Sequence, residues 1–357
     1  MQAQVAVERC RRVLLTGASG FVGTAIMERL LECGCEVQVL ALPETVEQLK
    51  HKDRIRVFQG TLTDAGLLKH ATKGVNVVYH FGAALPSPRA DEIKEVNIHG
   101  TEKLLWACVK NRVERIVFAS SMAVYQPVFM RSRWPMTEES PLLSPDSGAR
   151  SEYPRSKIAG EELVRQFHQE YGLEYSILRF PIVYGVGAPL VENLIQEIMG
   201  RAMLVSSRAS TVPGMQGVHV QDLARAAEMA GTRPEAANQT FNIASDQIFS
   251  IRDMLTEVTA YAGIEYPEPK SIHPTIQAVA SQMFDRTKLK YDVGKARLVM
   301  GFEPEIRIAD CFRQIAADMD KRGLLPRRLP ERPPLPNIQV IVAAVVGLLT
   351  MQKRQRG

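Results

Sequence analysis

Cysteine is scarce in this chain: Cys10, Cys33, Cys35, Cys108 and Cys311 are the whole complement of 357 residues. Their spacing suits neither a metal site nor a disulfide framework, so the expectation is a reducing compartment. Cys33-Gly34-Cys35 reads as a helix end capped by Gly34. Charge of one sign is lacking as well. The net charge of +5 is spread along the chain, which argues against a nucleic-acid partner, and Arg9, Arg11 and Arg12 read as a solvated flank. Met1 to Cys10 has no apolar core of a secretory signal, so the protein is expected to start in the cytoplasm. No internal repeat is found, and no low-complexity tract precedes the C-terminal end. What remains, 45% hydrophobic and 23% charged residues, is enough to bury the core of one large α/β domain and a smaller C-terminal lobe.

Apolar runs at Val13–Leu15, Val37–Leu42, Arg54–Phe58, Val75–Phe81, Arg115–Ala119 and Tyr175–Phe180 alternate with amphipathic helical stretches. That alternation implies crossover connections and a doubly wound parallel sheet covered on both faces. Beyond Gly185 it loosens. Short strands at Val218–Val220 and Thr240–Ile243 mix with helices at Val191–Gly200, Gln221–Ala230 and Ile251–Tyr261, where a substrate lobe is expected.

Between the first strand and a helical pattern from Thr24 lies Thr16-Gly17-Ala18-Ser19-Gly20-Phe21-Val22-Gly23. Strand, glycine turn and helix together form the context of a phosphate-binding loop. Gly17 permits the turn, Gly20 the approach of a pyrophosphate and Gly23 tight helix packing, while the helix N-terminus offers N–H donors and a favourable dipole. Further on, Tyr153 and Lys157 sit at i and i+4 and share a helix face. A phenol of pKa ~10 is a poor base at neutral pH unless a cation stabilises its anion. Lys157 is expected to do so, lowering the tyrosine pKa while reaching the ribose of a dinucleotide.

The glycine spacing of three and three, the run Phe118-Ala119-Ser120-Ser121-Met122-Ala123-Val124-Tyr125, Tyr153-x-x-x-Lys157, Val96-Asn97-Ile98-His99-Gly100-Thr101 and Leu178-Arg179-Phe180-Pro181-Ile182-Val183-Tyr184-Gly185 together resemble the extended short-chain dehydrogenase/reductase superfamily. The resemblance runs from about Arg12 to about Asp318. It implies a Rossmann domain and a catalytic set of Ser121, Tyr153 and Lys157, with Ser121 binding the substrate oxygen and Ser120 as its structural neighbour. Cofactor contacts are implied at Gly17, Ser19, Gly20, Phe21, Val22, Gly23, Thr61, Leu62, Gly82, Ala83, Ala84, Tyr153, Lys157, Pro181 and Val183. Asn97 in such proteins orders the central helix and an active-site water; a simple helix-start cap explains it nearly as well. His80 is expected to line the cleft without acid-base work.

The cofactor implied is NAD or NADP. Ala41 and Leu42 end the second strand, where NAD-preferring relatives carry an acid; Glu44 lies just beyond and no arginine is near, which favours NAD. Thr61 stands where relatives usually have aspartate. Relatives that bind nucleotide sugars carry asparagine and arginine where this chain has Ile182 and Met215, and sugar dehydration needs an acidic pair that Met122 and Ala123 do not supply. The expectation is alcohol–ketone oxidoreduction on a less polar small molecule, resembling 3β-hydroxysteroid dehydrogenase and dihydroflavonol reductase. A nucleotide-sugar epimerase and a non-catalytic dinucleotide-binding regulator stay open, as does phosphate binding by Arg179, Arg201 or Arg208. The proline-rich stretch Gln126 to Arg150 is read as a lid or as an inert excursion.

The organisation expected is an N-terminal flank at 1–11, a mainly dinucleotide-binding domain at 12–185, a mainly substrate-binding lobe at 186–325, a Pro/Arg-rich linker at 326–337 and an apolar tail with a basic end at 338–357. As a helix, Ile338–Met351 reaches only about 21 Å, short of a roughly 30 Å hydrocarbon core. An anionic membrane surface, the protein's own domain and a second subunit stay open as its contact. The resemblance also implies a homodimer through the helix of Tyr153 and a neighbouring one.

Overall fold

The computed structural model describes residues 12–84, 90–125, 135–144, 152–199, 214–264 and 290–325. Seven strands form one parallel sheet in the order β3-β2-β1-β4-β5-β6-β9: β1 (Arg12–Thr16), β2 (Glu36–Ala41), β3 (Ile55–Gln59), β4 (Val77–His80), β5 (Arg115–Ala119), β6 (Glu174–Arg179) and β9 (Gln239–Asn242). Most residues of β1, β2, β4 and β5 are buried. That is why these strands read as continuous apolar runs rather than alternating ones. The chain winds outward from β1 to β3 and then returns to β4 on the other side of β1. The order therefore reverses at the C-terminal ends of β1 and β4, where a crevice opens.

α1 (Phe21–Glu32) covers one face with the helix Val220–Thr232. Its end is a Schellman turn: Gly34, at φ +78°, donates to Leu31 O at 3.1 Å, and Cys35 N donates to Leu30 O at 3.0 Å. α2 (Ala65–Ala71), α4 (Gly100–Asn111) and α5 (Glu152–Tyr171) cover the other face. α3 (Ala90–Lys94) runs into α4 through a wide π turn at Glu95–His99. At Gly160 a Cβ would lie 2.4 Å from Phe118 Cζ, so glycine is what lets α5 close onto β5.

A second sheet, β10-β8-β7, joins β7 (Ile182–Tyr184) in parallel to β8 (Met215–His219), with β10 (Ile248–Phe249) antiparallel. Tyr184, Phe249 and Phe312 share its core with the helices Pro189–Met199, Ile251–Ala262 and Ile308–Lys321. β9 and the helix Val220–Thr232 lie C-terminal to β7 and β8 in sequence, yet pack with the first sheet.

Cys35 is disulfide-bonded, while Cys33, Cys108 and Cys311 are free, so the cysteines are not all unpaired. No helix among the described residues is long and apolar enough to cross a membrane. The linker at 326–337 and the tail at 338–357 lie outside the described residues, as do Arg201 and Arg208.

Candidate active site

The glycine loop leaves β1 at Thr16. Gly17 takes φ +79°, and a Cβ there would sit 2.8 Å from Gly82 N, so the turns after β1 and β4 touch backbone to backbone. A Cβ on Gly23 would lie 1.9 Å from Gly17 O. Gly20, the N-cap of α1, brings no side chain to the first-turn N–H groups, and Ser19 is partly buried beside it. Those donors, with the positive end of a 12-residue helix, fit a pyrophosphate. The residues present thus suit a dinucleotide, which Gly17, Ser19, Gly20, Phe21, Val22 and Gly23 would hold.

The floor of the crevice is a buried hydrogen-bond line. Gly82 N donates to Thr16 Oγ1 at 2.9 Å; Thr16 Oγ1 lies 2.8 Å from His80 Nδ1, and His80 Nε2 lies 2.9 Å from Thr101 Oγ1. Thr101 Oγ1 in turn donates to Asn97 O at 2.7 Å. Because both threonine hydroxyls can then donate onward, the line is satisfied by a neutral imidazole protonated at Nε2. Burial, with the nearby Lys157 charge, holds His80 down to about 3, in keeping with a structural rather than acid-base part. Asn97 is not a helix-start cap: it lies inside the π turn, accepts from Ala84 N at 2.7 Å, and donates to Ala84 O and Ser156 Oγ, each at 3.0 Å. Ser156 Oγ donates to Tyr153 O at 2.8 Å, so the segment after β4 is tied to α5.

Ser121, Tyr153 and Lys157 come together at the end of β5. Ser121 caps the short turn Met122–Val124 and is hydrogen-bonded to the Tyr153 side chain. Lys157 Nζ donates to Ala119 O at 2.8 Å and lies 5.7 Å from the centre of the Tyr153 ring. Met122 N donates to Phe180 O at 3.1 Å, which places Pro181 and Val183 beside the serine turn. The expected effect of the lysine on the phenol is not what the geometry gives. Burial pushes Tyr153 up to about 12 against the opposing Ser121 hydrogen bond, because the ammonium is directed at a carbonyl and not at the hydroxyl. Lys157 carries the opposite shift: burial brings it down to about 8, with Glu161 acting against the fall.

That shift has a stability consequence. In the unfolded chain the lysine titrates near about 10.4, so the folded protein disfavours its proton throughout the region below pH 8. Lys157→Met is expected to be about 1–2 kcal/mol more stable at pH 7, after the lost Ala119 bond is allowed for. The advantage should shrink as pH rises from 8 towards 10, and urea unfolding at pH 7 and 10 checks this. A difference independent of pH would show that the lysine pays no burial penalty.

Arg179 is not available to a phosphate. Its Nε and Nη2 donate to Glu161 Oε1 and Oε2 at 2.8 and 2.7 Å, and its Nη1 donates to Tyr125 OH at 3.1 Å and Glu138 O at 2.9 Å. Of the proline-rich stretch, residues 135–144 are described, and they dock on the sheet end: Asn242 N donates to Glu138 Oε1 and Asn242 Nδ2 to Met136 O. Towards the adenosine end, Leu62 is buried, Thr61 is exposed and hydrogen-bonded to Thr63 at 2.7 Å, and Glu44 opens the turn after β2. Sequence reasoning missed Glu161 and Ser156, both buried in α5. The only signal for Glu161 was its place one turn beyond Lys157.

A doubly wound sheet with a glycine loop at its switch point, beside a serine, a tyrosine and a lysine, defines a dinucleotide-dependent enzyme of the short-chain dehydrogenase/reductase type. The chain belongs to the NAD dependent epimerase/dehydratase family, within the extended branch of that superfamily, and the family model matches residues 13–244. Similar curated proteins include a UDP-glucose 4-epimerase of Mycolicibacterium smegmatis, 27% identical over 84% of this chain and 95% of that protein. A dihydroflavonol 4-reductase of Dianthus caryophyllus is 24% identical over 89% of each chain. Among solved structures, a short-chain dehydrogenase/reductase superfamily protein of Agrobacterium tumefaciens with bound NAD is 25% identical, with a TM-score of 0.67, covering 87% of this chain and 98% of that one.

Proposed function

We propose that this enzyme interconverts a secondary alcohol and a ketone on a relatively apolar small molecule, with Ser121, Tyr153 and Lys157 as the reacting set. The observation that carries the reading is the convergence of these three side chains at the end of β5, next to the glycine loop. A dinucleotide held at the glycine loop would supply the hydride acceptor or donor. Ser121 Oγ holds the substrate oxygen, and the Tyr153 hydroxyl takes or gives its proton. With the phenol pushed up by burial, Tyr153 rests protonated and is set to donate to a developing alkoxide; in the opposite direction it must lose that proton to act as base. Lys157, with its ammonium on Ala119 O and 5.7 Å from the centre of the Tyr153 ring, would have to turn from that carbonyl towards the hydroxyl to stabilise the phenolate while the proton is away. NAD is favoured over NADP, since Glu44 follows β2 and repels a ribose phosphate.

Ile182 and Met215 offer a diphosphate no side-chain donor, and the donors of Arg179 are committed to Glu161, Tyr125 and Glu138, which favours a less polar substrate. The likeness to the Dianthus reductase supports the same reading. The likeness to the Mycolicibacterium epimerase favours a second one, a nucleotide-sugar epimerase on the same three residues. Fluorescence titration with NADH and NADPH, followed by a panel of steroid-like, aromatic and nucleotide-sugar ketones and alcohols, separates them. Net nicotinamide oxidation or reduction on an apolar compound is the expected result. Isomerisation of a sugar nucleotide without net redox change would replace this reading with the second.

A further inference from the structure

Glu161 is fully buried on the stripe of α5 that carries Tyr153 and Lys157, at successive intervals of one helical turn. Four donors surround its carboxylate. Ser120 Oγ reaches Oε1 at 2.6 Å, Arg179 reaches both oxygens at 2.8 and 2.7 Å, and Arg165 Nη2 reaches Oε2 at 2.8 Å. Three elements therefore meet on one side chain: α5 itself, the end of β5 and the end of β6. Ser120 is the residue between Ala119, whose carbonyl takes the Lys157 ammonium, and Ser121, which meets Tyr153.

We propose that Glu161 is a positioning residue for Lys157: it clamps the Ala119-Ser120-Ser121 end of β5 to α5 and supplies the negative charge that keeps the buried lysine protonated. The inference rests on the placement of Lys157 in the proposed site. A buried ammonium with one carbonyl partner is costly, and a carboxylate one turn away is the nearest compensation on the same helix. The titratable and charged groups facing this pair are Tyr153 and Arg165 on α5, His80 from β4 and Arg179 from β6. Beyond Arg179 lie Tyr125 and Glu138, with Lys295 acting on Glu138. Arg165 and Arg179 both bond the carboxylate and offset its charge, so removing the partly exposed Arg165 should strengthen its effect on the lysine.

Lys157 can be followed without a known substrate. The full chain is reductively methylated with 13C-formaldehyde, and the Lys157 resonance is assigned by its loss in Lys157→Arg. In Glu161→Gln the titration midpoint should fall by about one pH unit. In Arg165→Gln, a partly exposed position whose loss does not threaten the core, it should rise by a few tenths. Opposite signs are the signature of a charge effect; a merely structural part moves neither midpoint or both alike. A midpoint unmoved in folded Glu161→Gln overturns the inference, and so does a midpoint unmoved or lowered in Arg165→Gln, which decides the matter if Glu161→Gln does not fold. If the midpoints move as expected but no member of the alcohol and ketone panel is turned over, it is the proposed function that fails.

Discussion

Tyr153→Phe is expected to lower turnover by at least about 100-fold while leaving NADH affinity within about twofold. The loss follows from the size of general acid-base contributions, about 10²–10⁴ in rate. The retained affinity follows from geometry: phenylalanine keeps the ring beside Lys157 and gives up only the hydroxyl bonded to Ser121. The glycine loop and the N-terminus of α1 are untouched. Steady-state rates on the first active member of the panel, with fluorescence titration of NADH alongside, test both halves. Turnover close to wild type would remove Tyr153 from the chemistry. Loss of both turnover and affinity would mean the residue shapes the dinucleotide site instead.

The second large effect is on stability. Arg179→Met should cost about 3–5 kcal/mol at neutral pH, the range for breaking a buried ion pair by removing one partner. Its side chain is 3% exposed and that of Glu161 is 0%, so the stranded carboxylate has no water to replace the bidentate partner. Arg165 and Ser120 soften the loss without cancelling it. The pH dependence has a definite sign. Burial works against the Glu161 charge, but the Arg179 hydrogen bonds overcome it and hold the carboxyl below the usual range. The pair's contribution is thus present above the unfolded glutamate pKa of about 4.3 and is lost as pH falls through the lower folded value. Urea unfolding of wild type and variant should differ most near pH 7 and converge towards acid pH. A gap below about 1 kcal/mol at pH 7 would show that the core relaxes around the missing guanidinium.

Much of this architecture is legible in the residues. The seven-stranded sheet is, because buried parallel strands need unbroken apolar runs; its strand Arg115–Ala119 is read from the sequence with the ends it has in the structure and its other strands within a residue or two, whereas Val218–Val220 of the second sheet begins three residues earlier, at Met215. The glycine loop is legible because a positive φ at Gly17 and the backbone contact of Gly23 tolerate no side chain. What escapes is whatever depends on a partner distant in sequence. Arg179 invites a phosphate until Glu161 is seen to bind it twice. Asn97 passes for a cap because a π turn leaves no mark in composition. The shift of Tyr153 runs against expectation because spacing reports that two side chains share a face, not which acceptor the ammonium chooses.

The π turn at Glu95–His99 amounts to one amino acid more than an ordinary helix would carry over the same rise. Each residue of an α-helix advances the angle by about 100°. Deleting one of the four residues other than Asn97 would let α3 and α4 fuse into a straight rod and turn one against the other by about that angle, straining the bonds that Asn97 makes to Ala84 and Ser156. The surplus residue acts as an offset between two gears: it lets α3 and α4, which both pack on α5, each keep its own phase against that helix. A length change of one residue in this stretch would thus uncouple the two halves of the site without touching a single residue that meets a ligand.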